Sequence, residues 1–254
     1  MMKKRFGAFV AMVLVFTMMF SMTVSAAGTN TVTYTQANEI ATICYQGYNG
    51  GVKGPIIITQ GTLHTWFSDK EVYLVTLSGT EMVTQQSTGY FTDLLAGFNQ
   101  NNAYLDNVIR TITMNIPKGS NLILAGHSLG GMIAQQTAAS SYMKENYNIL
   151  NTVTFGSPLI AAGEREGDVK RLGDTSDVVP YLSVTGSIEK EVWKVCGLQR
   201  ENGGYGTDCL SAHTDSYLRS DLWGKYDVVG SWWGTAELTL DLDTQQYFKA
   251  PNIV

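Results

Sequence analysis

The stretch Asn121-Leu122-Ile123-Leu124-Ala125-Gly126-His127-Ser128-Leu129-Gly130-Gly131 decides the fold. Four apolar residues, Leu122 to Ala125, read as a buried strand, and the chain then turns abruptly through glycines. A segment of helical character follows from Met132 to about Met143. Strand, sharp turn with a serine between glycines, then helix is the layout of a nucleophile elbow. A serine hydroxyl attacks poorly unless it is held exposed and strained beside a base. Gly126 and Gly130 stand two residues to either side, where a side chain would meet the neighbouring strand or helix. The turn also sets Ser128 at a helix N-terminus, whose N–H groups favour a developing oxyanion. With 26 glycines in 254 residues, a bare Gly-x-Ser-x-Gly arises by chance in roughly one chain in five to ten. The apolar run before it and the small residues after it (Gly131, Ala134, Ala138, Ala139) give it meaning.

The N-terminus reads separately from the rest. Lys3-Lys4-Arg5 precedes an uncharged apolar segment from Phe6 to about Met22, and Val24-Ser25-Ala26 offers a small-residue cleavage site. Residues 1–26 are therefore expected to be a secretory signal peptide, with a single domain over 27–254. The leader holds three of the 17 basic residues and none of the 22 acidic ones, so the remainder carries a net charge near −8. Such a chain lacks the cationic surface that nucleic acid requires. No later stretch is long and apolar enough to span a membrane. Of the three cysteines, Cys196 and Cys209 enclose a short Gly-rich loop and are the expected pair, while Cys44 reads as a buried hydrophobe. No Cys/His cluster has zinc-ligand spacing, and no metal or cofactor is expected.

Thr35 is the expected cap of a helix over Gln36 to about Tyr48. Ile56–Thr59, Leu63–Phe67 and Glu71–Leu77 read as an antiparallel meander. Leu105, Val108, Ile109 and Ile112 predict a helix from about Asn101 to Ile116. Leu150 to Phe155 and Asp168 to Leu172 read as strands. Strands alternating with helices imply an α/β fold, a mostly parallel sheet with helices on both faces.

The partners of Ser128 follow in the order Ser, Asp/Glu, His. Only His213 lies after the motif, in Ser211-Ala212-His213-Thr214-Asp215, which reads as a loop. His64, in a strand upstream of the serine, reads as structural or surface. The acid must lie between Ser128 and His213 and be buried, to hold the imidazole tautomer. Asp177, followed by Val178-Val179-Pro180, is best placed, with Asp174 as the alternative; Asp168 opens a strand and Asp208 lies very near His213. An oxyanion hole needs the N–H of Leu129 and one more from a loop at a neighbouring strand end. Thr80 is well placed to give it, although its stretch reads equally as a simple turn.

Taken together, Leu77-Ser78-Gly79-Thr80, Gly126 to Gly131, Thr154-Phe155-Gly156-Ser157-Pro158, Asp177-Val178-Val179-Pro180 and Ala212-His213 resemble the class 3 (fungal-type) lipase family of α/β-hydrolases. The resemblance implies Ser128 as nucleophile, Asp177 as acid, His213 as base and Thr80 with Leu129 as the oxyanion hole. It also implies a lid between Thr80 and Phe98. The chain departs from the family at Ser78, where an arginine is usual, and the stretch from Thr80 to Ser128 is short. The expected function is a secreted serine ester hydrolase, a triacylglycerol lipase acting on acylglycerol or another ester at a lipid–water interface. A feruloyl or acetyl esterase is the nearest alternative. A non-catalytic surface-binding protein, using Trp223, Trp232 and Trp233, is another.

Overall fold

The computed structural model describes residues 30–79, 101–181 and 197–250. The expected signal peptide, Thr80, the Tyr90–Phe98 segment and Cys196 lie outside these residues. Strand β1 (Thr31–Tyr34) leads to helix α1 (Ala37–Tyr45), then to the hairpin of β2 (Ile56–Thr65) and β3 (Ser68–Leu77). Helix α2 (Asn101–Asn115) precedes β4 (Asn121–His127), which feeds α3 (Leu129–Ala139) and the short α4 (Ser141–Asn146). Strands β5 (Asn148–Phe155), β6 (Asp168–Asp174) and β7 (Leu198–Glu201) follow. Three short helical turns come next: α5 (Cys209–Asp215), a 3-10 turn over Ser216–Leu218, and α6 (Ser220–Trp223). Strand β8 (Glu237–Phe248) is the last.

Among the described residues these eight strands form one sheet in the order β1-β8-β2-β3-β4-β5-β6-β7. The run from β3 to β7 is parallel, whereas β2, β8 and β1 add antiparallel strands on one side. Central β4 is covered on both faces, so its sequence is a continuous apolar run rather than an alternating one. Its side chains still divide by the strand's period of two. Ile123 and Ala125 join α1, Phe155, Tyr217 and Trp223 in one core, while Leu122 and Leu124 join α2 and α3 in the other. Burial of each such leucine or isoleucine stabilises the fold by about 1.5–3 kcal/mol. No described helix is long and apolar enough to cross a membrane.

Three expectations are corrected. The three-part meander is a two-stranded hairpin, because Ile56 to Thr65 is one strand. Gly61 is paired within it, and a Cβ there would fall 2.4 Å from the Thr239 carbonyl of β8. The N-cap of α1 is Gln36 rather than Thr35; Glu39 reaches back to accept both the Thr35 and Gln36 N–H groups, at 2.7 and 2.9 Å. Trp223 is no surface platform. It is fully buried, stacked on Tyr217, and its indole N–H donates to the Ser216 carbonyl. Trp232 and Trp233 are exposed.

Candidate active site

The C-terminal ends of parallel strands share one edge of a sheet, where α/β folds build their sites. Here β3, β4, β5 and β6 bring Gly79, Ser128, Gly156 and Asp177 to that edge. Ser128 caps α3 with φ 57° and ψ −124°, a conformation that L-residues rarely adopt. The turn is stitched to the next strand by the Ser128 N–H, which donates to the Phe155 carbonyl at 2.9 Å.

The glycines around Ser128 are required by close approach. A Cβ on Gly126 would lie 2.4 Å from the Gly130 backbone, and one on Gly130 would lie 2.3 Å from the Leu77 carbonyl. Thus β3, β4 and α3 meet at backbone distance under the serine. Leu129 is the first residue of α3 and is buried, and its N–H has no acceptor within the helix. Gly79 stands beside the serine, since a Cβ there would be 3.0 Å from the Ser128 Cβ. Thr80, the next residue, lies outside the described residues.

His213 and Asp177 are brought together from elements 36 residues apart. His213 Nδ1 and Asp177 Oδ2 are 2.8 Å apart, and both side chains are about 1% exposed. Asp177 Oδ1 accepts the Val179 N–H at 2.9 Å, so the turn that follows it orients the carboxylate. A second brace is the buried Arg171 on β6, whose guanidinium donates to the Ser157 and Pro180 carbonyls. His213 is not in a loop, as expected from sequence, but on the short helix α5. Asp208 caps that helix by accepting the Ser211 N–H. The local sequence hides it because the helix has only seven residues.

Asp174, the alternative acid, holds other groups. It is buried at the end of β6, where Oδ1 accepts the Ser176 N–H and Oδ2 accepts the Gly203 N–H and the Ser216 hydroxyl. His64 lies elsewhere, near the far end of β2, bonded to Asp69 and Thr239.

Several further residues surround the site, and the sequence reading gave none of them a role. Gly156 has φ +57°, and a Cβ on it would lie 2.8 to 3.1 Å from Tyr217, Asp177 and His213. His127 is buried in the elbow itself, its ring centroid 4.7 Å from that of His213. Its Nε2 lies 3.0 Å from the His213 carbonyl, which can only accept, so the proton sits on Nε2. Nδ1 then accepts from Tyr48 Oη at 2.6 Å, and Tyr48 Oη accepts the Gly79 N–H at 2.8 Å. Tyr45 Oη donates to the same His213 carbonyl at 3.1 Å. Burial, and secondarily the neighbouring His213, holds His127 well below the ordinary histidine range, so it is neutral. The signal available in the sequence was the pair Tyr45 and Tyr48 at the end of a helix, one turn apart.

This arrangement suits nucleophilic acyl transfer: a strained serine, a histidine held by a buried carboxylate, and backbone N–H groups at a helix start. Residues 56–185 match the family described as Lipase (class 3), slightly more than half the chain. That span includes Ser128 and Asp177, while His213 lies beyond it. No curated protein and no solved structure matches the chain.

Proposed function

The chain belongs to the class 3 lipase family and is an ester hydrolase of the lipase and esterase type; from that premise we propose that it is an exported triacylglycerol lipase working through Ser128, His213 and Asp177. In this reading Ser128 Oγ attacks the ester carbonyl carbon as His213 Nε2 takes its proton. Asp177 accepts from Nδ1–H, fixing the tautomer and stabilising the imidazolium. The N–H groups of Leu129 and Thr80 receive the tetrahedral oxyanion, at about 3 kcal/mol per donor. The imidazolium returns its proton to the leaving alcohol, the C–O bond breaks, and an acyl-Ser128 remains. Water, deprotonated by His213, attacks that ester, and the imidazolium returns the proton to Ser128 Oγ as the acyl C–O bond breaks, releasing the fatty acid and free Ser128.

The observation that carries the reading is the buried His213–Asp177 bond on the sheet edge that presents the strained Ser128. Export rests on the Lys3-Lys4-Arg5 leader and its apolar run. The acylglycerol substrate rests on the family.

Protein beginning at Ala27, with its Ser128→Ala counterpart, is assayed on p-nitrophenyl esters from acetate to palmitate and on emulsified triglyceride. Rates rising with chain length and abolished in the variant are expected. A preference for short or aromatic acyl groups would make the enzyme a feruloyl or acetyl esterase. Undiminished hydrolysis by Ser128→Ala would overturn the nucleophile assignment.

A further inference from the structure

Tyr217 lies in the 3-10 turn four residues after His213 and is fully buried. Its ring stacks on Trp223 with centroids 5.6 Å apart and meets Phe155 edge-on at 6.2 Å. Packing accounts for the ring. It does not account for the hydroxyl, which sits 2.6 Å from Asp177 Oδ2, the same oxygen that His213 Nδ1 approaches at 2.8 Å. The phenol oxygen in turn accepts the Asp174 N–H at 3.2 Å, which leaves its own proton directed at Asp177. A chain of donors therefore runs from the end of β6 through Tyr217 to the carboxylate.

Two donors on one carboxylate oxygen draw on the same electron density. Each hydrogen bond to an anion lowers its basicity, and so weakens its pull on the other proton. Burial first, and the neighbouring Asp177 charge second, keep the phenol protonated and hence a donor. The turn that carries Tyr217 is itself fixed, because the Ser216 hydroxyl donates to Asp174 and the Ser216 carbonyl accepts from Trp223.

We propose that Tyr217 is a positioning residue of the hydrolysis, which orients Asp177 and limits its basicity toward His213, and so sets the pH at which His213 becomes available as base. The inference rests on the assignment of Ser128, His213 and Asp177 made above. Among the described residues, the titratable groups around His213 are Asp177 from the turn after β6, His127 from β4, Tyr45 from α1 and Tyr217 itself; Asp215 lies two residues on. Of these, Tyr217 and His213 share one oxygen of Asp177.

The test is the pH profile of kcat/KM on a soluble p-nitrophenyl ester for Tyr217→Phe, which keeps the ring and removes the donor. The acid limb is expected to move to higher pH by about half a unit to one unit, with KM little changed. Site-specific 3-fluorotyrosine at 217, a stronger donor of nearly the same shape, is expected to move the limb the other way. It gives the answer even if Tyr217→Phe does not fold. Profiles superimposable on the wild type in the folded variants would overturn the proposal and leave Tyr217 as packing alone. Asp177→Asn, run alongside, separates the two readings. Full activity in that variant would sink the Ser128–His213–Asp177 assignment, whereas an unmoved limb with activity still dependent on Asp177 sinks only the role of Tyr217.

Discussion

Tyr48 Oη lies 2.6 Å from Nδ1 of His127, the residue next to Ser128, and the same oxygen receives the N–H of Gly79. One phenol thus joins the end of β3 to the elbow, and His127 joins the elbow to the backbone of His213. Tyr48→Phe leaves the Gly79 N–H and His127 Nδ1 without this partner. The expected cost is about 1–3 kcal/mol of stability in urea unfolding, accompanied by a fall in kcat larger than any rise in KM. A variant with wild-type kcat would show that this link is structural only.

His127 should also leave a mark on stability against pH. Its folded value is well below the ordinary 6.5, so between the two values the unfolded chain binds a proton that the folded chain refuses. Stability is therefore full above pH 6.5 and declines as pH falls through the window below it. In His127→Gln that part of the decline is expected to vanish. The comparison is the difference in melting temperature between wild type and variant at pH 8 and pH 5.

At Gly156, both the positive φ and the three close neighbours exclude a side chain. Gly156→Ala is expected to cost more than 2 kcal/mol in stability and to lower kcat at least tenfold by displacing His213 or Asp177. Gly163, also at positive φ but with open space around it, serves as the control. Gly163→Ala should cost about 1–2 kcal/mol with kcat unchanged.

Replacement at Ser128 separates chemistry from strain. Glycine adopts the φ of 57° freely, at the usual entropic cost of about 0.5–1 kcal/mol, whereas alanine retains the strain. Ser128→Gly is expected to unfold at a urea concentration equal to or above that of Ser128→Ala, although neither turns over ester. A clearly less stable glycine variant would mean that the backbone at 128 stores little energy.

The two buried aspartates should part company. Asp177→Asn keeps the shape of the carboxylate and is expected to lower kcat by about 10⁴ with a modest change in stability. Asp174→Asn disturbs the bonds to Ser216 and Gly203, so its main effect should be a loss of about 1–3 kcal/mol. Equal losses of kcat in the two would contradict distinct roles.

The β4–α3 elbow was legible because its signals are local: an apolar run buried on both faces, then glycines where backbones touch. The parallel sheet followed from the alternation of strands and helices. The helical setting of His213 was not legible, since seven residues capped by Asp208 carry too little periodicity to announce a helix. Tyr48, Tyr217 and Gly156 were hidden for another reason. Each matters through a partner far along the chain: 79 residues from Tyr48 to His127, 40 from Tyr217 to Asp177 and 57 from Gly156 to His213. Trp223 misled because an indole reads alike as a surface platform and as core, and its burial against Tyr217 distinguishes them only once the chain is folded.

The sheet order also bears on how the molecule is assembled in time. Strand β8, the last of the eight along the chain, lies between β1 and β2, which are among the first. Among the described residues, a nascent polypeptide that has already produced the elbow has no neighbour for β1 and an open flank on β2 until residues 237–248 emerge. Closing the sheet therefore joins strands far apart along the chain, β1 and β2 with β8, and such non-local pairing raises the contact order and slows folding. Until β8 is made, the growing chain carries a sheet with a gap in it between β1 and β2.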